Sequence, residues 1–247
     1  MNTITTPCEI LRVFIGYDPR QAISYTVAAS SFALAANRKP VSITPIKIET
    51  VPFKRQGLTP FTFSRFLVPW MCNFKGYALF VDADVACLRD PAELFEEGYE
   101  DPTKAVWVVN TTPQFERAAV MLFNCGHPDN AVLTPDYCET ANGLHQIRWT
   151  ENIGWLSDDW NHLVGYDKPA ERPGIIHYTM GVPCHPQTSD CEHADLWWLV
   201  HKAMNSTRKW EEIMGNSVHN GRDDENNVVP LYKATKALDG SRLDNAS

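Results

Sequence analysis

The sequence predicts an α/β domain built on a doubly wound sheet, and three observations carry that expectation. First, the chain opens as strand, helix, strand. Leu11-Arg12-Val13-Phe14-Ile15-Gly16 is an apolar run ending at a loop, and Gln21 to Ala36 is Ala-rich with apolar residues at helical spacing (Ile23, Val27, Phe32, Ala35). Val41 to Ile48 then alternates as a strand entered at Pro40. Second, Tyr77-Ala78-Leu79-Phe80-Val81 is an apolar run with no polar break, as expected of a strand covered on both faces. Third, that run stops abruptly at Asp82-Ala83-Asp84. Ligands of such sheets sit beyond the carboxyl ends of the strands, which is where this acidic pair falls.

The remaining elements follow in order. Thr62 to Cys72 reads as a helix interrupted by Pro69. Asp90-Pro91-Ala92-Glu93 is a helix start, with Asp90 as cap and Pro91 in the first turn. Ala105 to Val109 and Ala119 to Phe123 are strand candidates, Thr134-Pro135-Asp136 opens another helix, and Ile175-Ile176-His177-Tyr178 is a last strand. Ala194 to Met214 reads as a helix whose Trp197, Trp198 and Trp210 pack on the sheet. From Gly215 the sequence turns polar (NSVHNGRDDENN), so the expected organisation is one domain over residues 1–214 and a loosely ordered tail over 215–247.

Composition narrows the function classes. Of 247 residues, 44% are hydrophobic and 21% charged, enough to bury a substantial core. The apolar runs are far too short to span a bilayer, and MNTITTPCEI lacks a basic segment followed by an apolar one, so neither a membrane span nor a signal peptide is expected. Seven cysteines, an odd number with no C-x-x-C pair, argue for reduced thiols and a cytoplasmic setting. A net charge of −8 disfavours a broad nucleic-acid grip, although local basic patches leave a nucleic-acid acceptor open.

Asp82 and Asp84 are the strongest chemical feature. Two like charges at the end of a buried strand cost several kcal/mol or shift their pKa values unless something compensates them. A divalent cation does so, and oxygen ligands on a tight turn suit Mg²⁺ or Mn²⁺ with positions left for substrate phosphates. The competing explanation is a pair of solvated turn aspartates, which the preceding apolar strand argues against.

These residues carry a resemblance. Phe63-Ser64-Arg65-Phe66-Leu67-Val68-Pro69, followed by Gly76 to Val81 and Asp82-Ala83-Asp84, resembles the R-x-x-x-P … Y-L-D-x-D core of family 8 retaining glycosyltransferases, the glycogenin and lipopolysaccharide galactosyltransferase group. Leu122-Phe123-Asn124-Cys125-Gly126 looks like that family's F-N-x-G turn, Trp160-Asn161 like its x-W-N element, and Ile175 to Gly181 like its late histidine-bearing strand. The likeness runs from Arg12 to about Trp198. It implies a GT-A-type single domain, a doubly wound mixed sheet with a nucleotide-sugar site at the carboxyl ends of its strands. It also implies transfer of a sugar, from a UDP-sugar, to an acceptor hydroxyl with retention. By the same resemblance Asp82, Asp84 and His177 would bind Mn²⁺ (or Mg²⁺), and Arg65 would lie over the donor's diphosphate or sugar. Tyr17, Asp18 and Ala83 would flank the nucleotide, and Asn124 would hold sugar hydroxyls.

The sequence departs from that pattern in two places. The lysine and tryptophan expected after the histidine strand are replaced by Gly181-Val182-Pro183-Cys184-His185-Pro186, where His185 is the substitute for the phosphate-neutralising lysine. The family's D-Q-D carboxylate is matched only by Trp149-Thr150-Glu151-Asn152, so Glu151 takes that role, with Asp158 and Asp159 as rivals. Two other functions compete: a sugar nucleotidyltransferase, disfavoured by the single glycine in Gly16-Tyr17-Asp18-Pro19-Arg20, and a non-catalytic sugar-nucleotide or glycan-binding domain. Zinc on Cys184, His185, Cys191 and His193 is disfavoured by cysteine spacing unlike a zinc knuckle. The acceptor stays open among glycolipid, protein, small molecule and modified nucleobase.

Overall fold

In a computed structural model, residues 10–204, 220–230 and 234–237 are described, and the chain divides into two compact units, Met1–Met204 and Asn205–Ser247. The central sheet of the first unit has the order β2-β1-β3-β6-β5-β7. Strand β1 (Leu11–Gly16) lies between β2 (Val41–Ile46) and β3 (Tyr77–Val81), parallel to both. Strand β6 (Val120–Asn124) runs antiparallel to β3 and to β5 (Val106–Val109), and β7 (Ile153–Leu156) is parallel to β5. The sheet is therefore mixed. Because the chain leaves β1 for β2 on one side and returns to β3 on the other, a crevice opens where β1 and β3 end side by side, Ile15 facing Val81.

Burial explains why these runs are strands. Every residue of β5 is buried, and of β3 only Tyr77 is partly open. Phe80 and Phe123, on neighbouring strands, have no exposed surface. Each such side chain stabilises the fold by about 1.5–3 kcal/mol, so the scaffold easily carries the strain of an acidic pair at its rim. Helix α1 (Ala22–Ala35) covers one face through Ser24, Val27, Ala28, Ser31 and Phe32, a 3-4 spaced stripe. This stripe is rotated from the face expected: Ile23 is exposed and Ala35 only partly buried. Ser24, Ala28 and Ser31 in the stripe are small, and Ser31 Oγ accepts a hydrogen bond from Cys87 N at 2.8 Å.

Local details differ from expectation where the elements are short. The strand after Pro40 ends at Ile46 and turns into a 3-10 helix over Ile48–Thr50; Pro45 is tolerated because β2 is an edge strand. Pro69 does not interrupt a helix but opens one: a 3-10 turn over Ser64–Leu67 leads into α2 (Val68–Met71), with the proline in its first turn. Helix α3 (Pro91–Tyr99) is capped by Asp90, which accepts from Ala92 N at 2.9 Å, and α4 (Pro135–Thr140) by Thr134. A small second sheet of β4 (Val85–Cys87), β8 (His162–Leu163) and β9 (Ile175–His177), in the order β4-β9-β8, packs with α5 (Ala194–Met204) around Ile176, Tyr178 and Trp197. Strands β4, β7 and β8 are too short to leave a period in the sequence.

The expected continuation of α5 to Met214, with Trp210, lies outside the described residues. Within the second unit, β10 (Asn220–Arg222) pairs antiparallel with β11 (Val228–Pro230) and with β12 (Lys236–Ala237); the rest of the 215–247 segment also lies outside the described residues. Among the described residues no helix is long and apolar enough to cross a membrane.

Candidate active site

Three backbone events assemble the site. Strand β3 delivers Asp82 and Asp84 on a turn into β4, and β4 pairs with β9 so that Val85 faces His177. The pairing continues past the strand, since Tyr178 N donates to Asp84 O at 2.9 Å. His177 therefore stands across from the acidic turn, its Nε2 3.3 Å from Asp84 Oδ1. Ligand atoms of Asp82, Asp84 and His177 all lie within 4.8 Å of one another, and His177 itself is only 2% exposed.

A second ring of contacts fixes the histidine. Asn161, fully buried, donates from Nδ2 to Glu116 O at 3.0 Å. That carbonyl can only accept, so the amide oxygen is the atom that faces His177, 3.1 Å from Nδ1. Nδ1 must then carry the proton, which leaves the Nε2 lone pair of the neutral ring for a cation beside Asp84. Glu116 also faces the imidazole, with Oε2 3.9 Å from Nδ1.

Arg65 serves the same cluster from behind. It is 7% exposed; Nε donates to Thr62 O at 3.0 Å and Nη1 to Ala118 O at 2.8 Å, while the guanidinium packs over the rings of Phe61 and Phe80. Its Nη1 lies 2.9 Å from Asp82 Oδ1, close enough for strong attraction, yet the angle is not that of a hydrogen bond and the buried Oδ1 has no hydrogen-bond donor. The expected diphosphate clamp is thus mostly committed to the protein: Arg65 sets the position of Asp82.

The charges are strongly coupled. Burial pushes Asp82 up to about 7, Arg65 and His177 opposing, Asp84 and Glu116 adding. Asp84 is penalised by burial too, but the charge and hydrogen bond of His177 outweigh the penalty and hold it below the ordinary value. Burial works against charge on His177, yet Asp84, Asp82 and Glu116 raise it to about 9. Glu116 is raised by burial, with His177 opposing. In the metal-free site a proton on His177 compensates the surrounding carboxylates. A divalent cation fits the same place: Asp82 Oδ1 lacks a donor, Asp84 Oδ1 and His177 Nε2 converge beside it, and the donor set of carboxylates and imidazole suits Mn²⁺.

The cluster opens into a cleft of about 630 Å³ whose walls include Asp18, Arg20, Phe61, Ala83, Glu116 and His185. Asp18 is 2% exposed and held below its ordinary pKa by hydrogen bonds from Arg20, which also donates to Leu58 O. Gly16 is required where β1 meets this wall, because a Cβ there would stand 2.4 Å from the Phe61 ring. Gly181, at φ +117, turns the chain that brings His185 to the rim. Of the residues expected at the nucleotide, Asp18, Arg65, Asp82, Ala83 and His185 line the cleft; Tyr17 precedes it, packed edge-on against Tyr25 beneath Lys47.

Asn124 and Glu151 lie elsewhere. Strand β6 runs antiparallel to β3, so Val120 faces Val81 beside the acidic turn while Asn124 faces Tyr77 at the far end. Four residue steps of strand separate the two ends by about 14 Å. Asn124 spends its amide on Pro102 O, and Ala105 joins Asn124 to Asn152, which puts the exposed Glu151 on that same far edge. The segment that enters β6, the 3-10 helix Gln114–Ala119, is the one that reaches the cleft, through Phe115 and Glu116, while Phe123-Asn124-Cys125-Gly126 leaves the strand at its other end. Asp158 and Asp159, the rival carboxylates, line a different cleft. Glu116 and Asn161 were missed as site residues; the x-W-N element carried the only signal for the second.

No family model matches the chain. It is 34% identical over 234 residues to Protein CDI of Arabidopsis thaliana, an alignment covering 81% of this chain and 89% of that protein. Solved structures with a similar fold are glycosyltransferases. The galactosyltransferase LgtC with donor and acceptor sugar analogues is 10% identical, with TM-score 0.53, 82% of this chain and 99% of that one covered. GlyE of Streptococcus pneumoniae TIGR4 is 19% identical at TM-score 0.59, covering 83% of this chain and 62% of that one. The bifunctional WbbM is 15% identical at TM-score 0.58, covering 87% and 52%, so this chain spans about half the length of WbbM and under two thirds of GlyE. The fold is therefore of the GT-A glycosyltransferase type.

Proposed function

This chain belongs to the family of Protein CDI, and we propose that it is a metal-dependent glycosyltransferase that moves a sugar from a UDP-sugar to an acceptor hydroxyl with retention of configuration. The observation that carries the proposal is the convergence of Asp82, Asp84 and His177 at the end of β3, open to a cleft at the point where the strand order reverses. The GT-A-type fold supports it.

Asp82, Asp84 and the neutral Nε2 of His177 would hold Mn²⁺ or Mg²⁺. That ion supplies Lewis-acid neutralisation of the donor diphosphate. Asn161 keeps the histidine in the tautomer that can ligate, and Arg65 fixes Asp82 without being used up as a ligand itself. Asp18, with Tyr17 behind it and Ala83 opposite, forms the nucleotide end of the cleft. Positive charge for the phosphates comes from Arg20, whose side chain is 65% exposed in the cleft wall, and His185 at the rim offers them a hydrogen-bond donor in place of the lysine missing from the sequence. Glu116 takes the carboxylate role first given to Glu151. Facing the acidic turn, it can accept hydrogen bonds from sugar hydroxyls while the acceptor oxygen bonds to the anomeric carbon, its proton passing to the diphosphate oxygen that leaves as the anomeric carbon–phosphate bond breaks. The acceptor is a glycolipid, protein, small molecule or modified nucleobase, and the unpaired cysteines among the described residues agree with a cytosolic setting.

A screen of UDP-, GDP- and TDP-sugars for Mn²⁺-dependent release of nucleoside diphosphate tests this reading. One UDP-sugar should be hydrolysed slowly by the wild type and not by Asp84→Asn. Equal turnover by both would contradict it.

A further inference from the structure

A second group of ligands includes a residue of β8. His162 Nε2 and His193 Nε2 approach the same oxygen, Glu192 Oε1, at 3.2 and 3.1 Å, and the three ligand atoms lie within 4.8 Å of one another. We propose that His162, Glu192 and His193 form a zinc site, separate from the donor site, that braces the strand pair carrying His177.

Several observations support it. Zn²⁺ bonds His nitrogen and carboxylate oxygen at about 2.0–2.2 Å, so two ligands of a tetrahedral ion stand about 3.3–3.5 Å apart. The observed separations need to open by only a few tenths of an ångström. His193 Nε2 is buried yet has no hydrogen-bond partner, because its approach to Glu192 lacks hydrogen-bond geometry. Glu192 Oε1 accepts from Ala170 N at 3.1 Å and meets both imidazole nitrogens, only one of them in hydrogen-bond geometry, an arrangement explained better by a shared cation than by hydrogen bonds alone. His162, 4% exposed, is backed by Asp167 Oδ2 at 4.0 Å from Nδ1, a carboxylate behind a histidine ligand. It also lines a cleft of about 370 Å³ with Asp158, Asp159, Asp167 and Lys168. The cysteines weighed from sequence take no part.

The site is tied to its neighbour. His162 follows Asn161 directly, Leu163 pairs with His177, and Tyr178 Oη donates to His193 O at 2.9 Å. An ion on these ligands would therefore fasten both chain neighbours of the donor-site histidine to the loop before α5.

The test uses the full chain and Zn²⁺ alone, with metal content and melting temperature as readouts, so it stands or falls apart from transferase activity. After dialysis against limiting Zn²⁺, an Asp82→Asn/Asp84→Asn variant should retain one equivalent of zinc and melt higher with it than after chelation. Glu192→Gln, which keeps the shape and a hydrogen-bonding oxygen, should lose that equivalent in the same background, and so should His162→Gln if it folds. Co²⁺ should give the visible absorption of a tetrahedral site in the acidic-pair variant but not in the Glu192 variant. Zinc retained in full by Glu192→Gln, or none bound by the acidic-pair variant, overturns the proposal.

Discussion

Replacing Asn161 with leucine removes one buried amide of nearly the same size and leaves two partners behind. One is His177 Nδ1, 3.1 Å from the lost oxygen, and the other is the Glu116 carbonyl, 3.0 Å from the lost nitrogen. Each buried polar group left unsatisfied costs about 1–3 kcal/mol, so the metal-free variant should be less stable by about 2–6 kcal/mol. The specific effect is on the ion. Without an acceptor at Nδ1 the ring no longer prefers the tautomer with Nε2 free, and second-shell changes of this type lower metal affinity about 10–100-fold. That is about 1.4–2.7 kcal/mol of binding energy. Calorimetric titration of Mn²⁺ in the presence of UDP measures it. Asn161→Asp is the informative companion. It keeps an acceptor for Nδ1 but adds a charge that raises His177 further, so its Mn²⁺ affinity should be weak near pH 7 and recover at higher pH. A leucine variant that is destabilised but binds Mn²⁺ like the wild type would refute the reasoning and leave Asn161 as packing.

Other variants and conditions separate the remaining assignments. Arg65→Met should cost about 3–5 kcal/mol in urea unfolding, because it strips a buried partner from Asp82; a loss under 1 kcal/mol would show the pair is dispensable. Asn124→Ala and Glu151→Gln should leave UDP affinity within twofold of wild type, whereas Glu116→Gln should depress transfer while sparing UDP binding; the reverse pattern in donor assays would restore the first choice of carboxylate. In chelator, the pKa of His177 is raised to about 9, so its stabilising contribution is fully present below the unfolded value of 6.5 and is lost as pH rises through about 9. Unfolding midpoints should thus fall over that window in the wild type and less so in His177→Gln, while Mn²⁺ affinity rises as the proton leaves; a midpoint that climbs with pH would contradict the protonated, metal-free state.

Much of this was legible in the sequence because the informative segments are long or chemically abrupt. The β1-α1-β2 opening and the run ending in Asp82-Ala83-Asp84 give the sheet, its crevice and the acidic pair directly. His177 was reachable because an apolar strand positions it. What the sequence hid depends on strand direction. Nothing local shows which way β6 runs, so Asn124 was chosen at the far end of the strand, whereas Glu116 faces His177 beside the acidic turn. Arg65 looked available because its sequence neighbours are apolar; only the fold shows the carbonyls of Thr62 and Ala118 that engage it. The grouping of His162 with Glu192 and His193 spans thirty-one residues and depends on β8, a strand of two.

The central claim is that the site at the end of β3 binds a nucleotide diphosphate through a divalent ion held by Asp82, Asp84 and His177. Calorimetry of UDP with the full chain at pH 8, in Mn²⁺ and then in chelator, tests it most directly. UDP should bind at least about 100-fold more tightly with Mn²⁺, a difference of about 2.7 kcal/mol, and Asp84→Asn should erase that difference. Equal affinity for UDP with and without the ion would contradict the account.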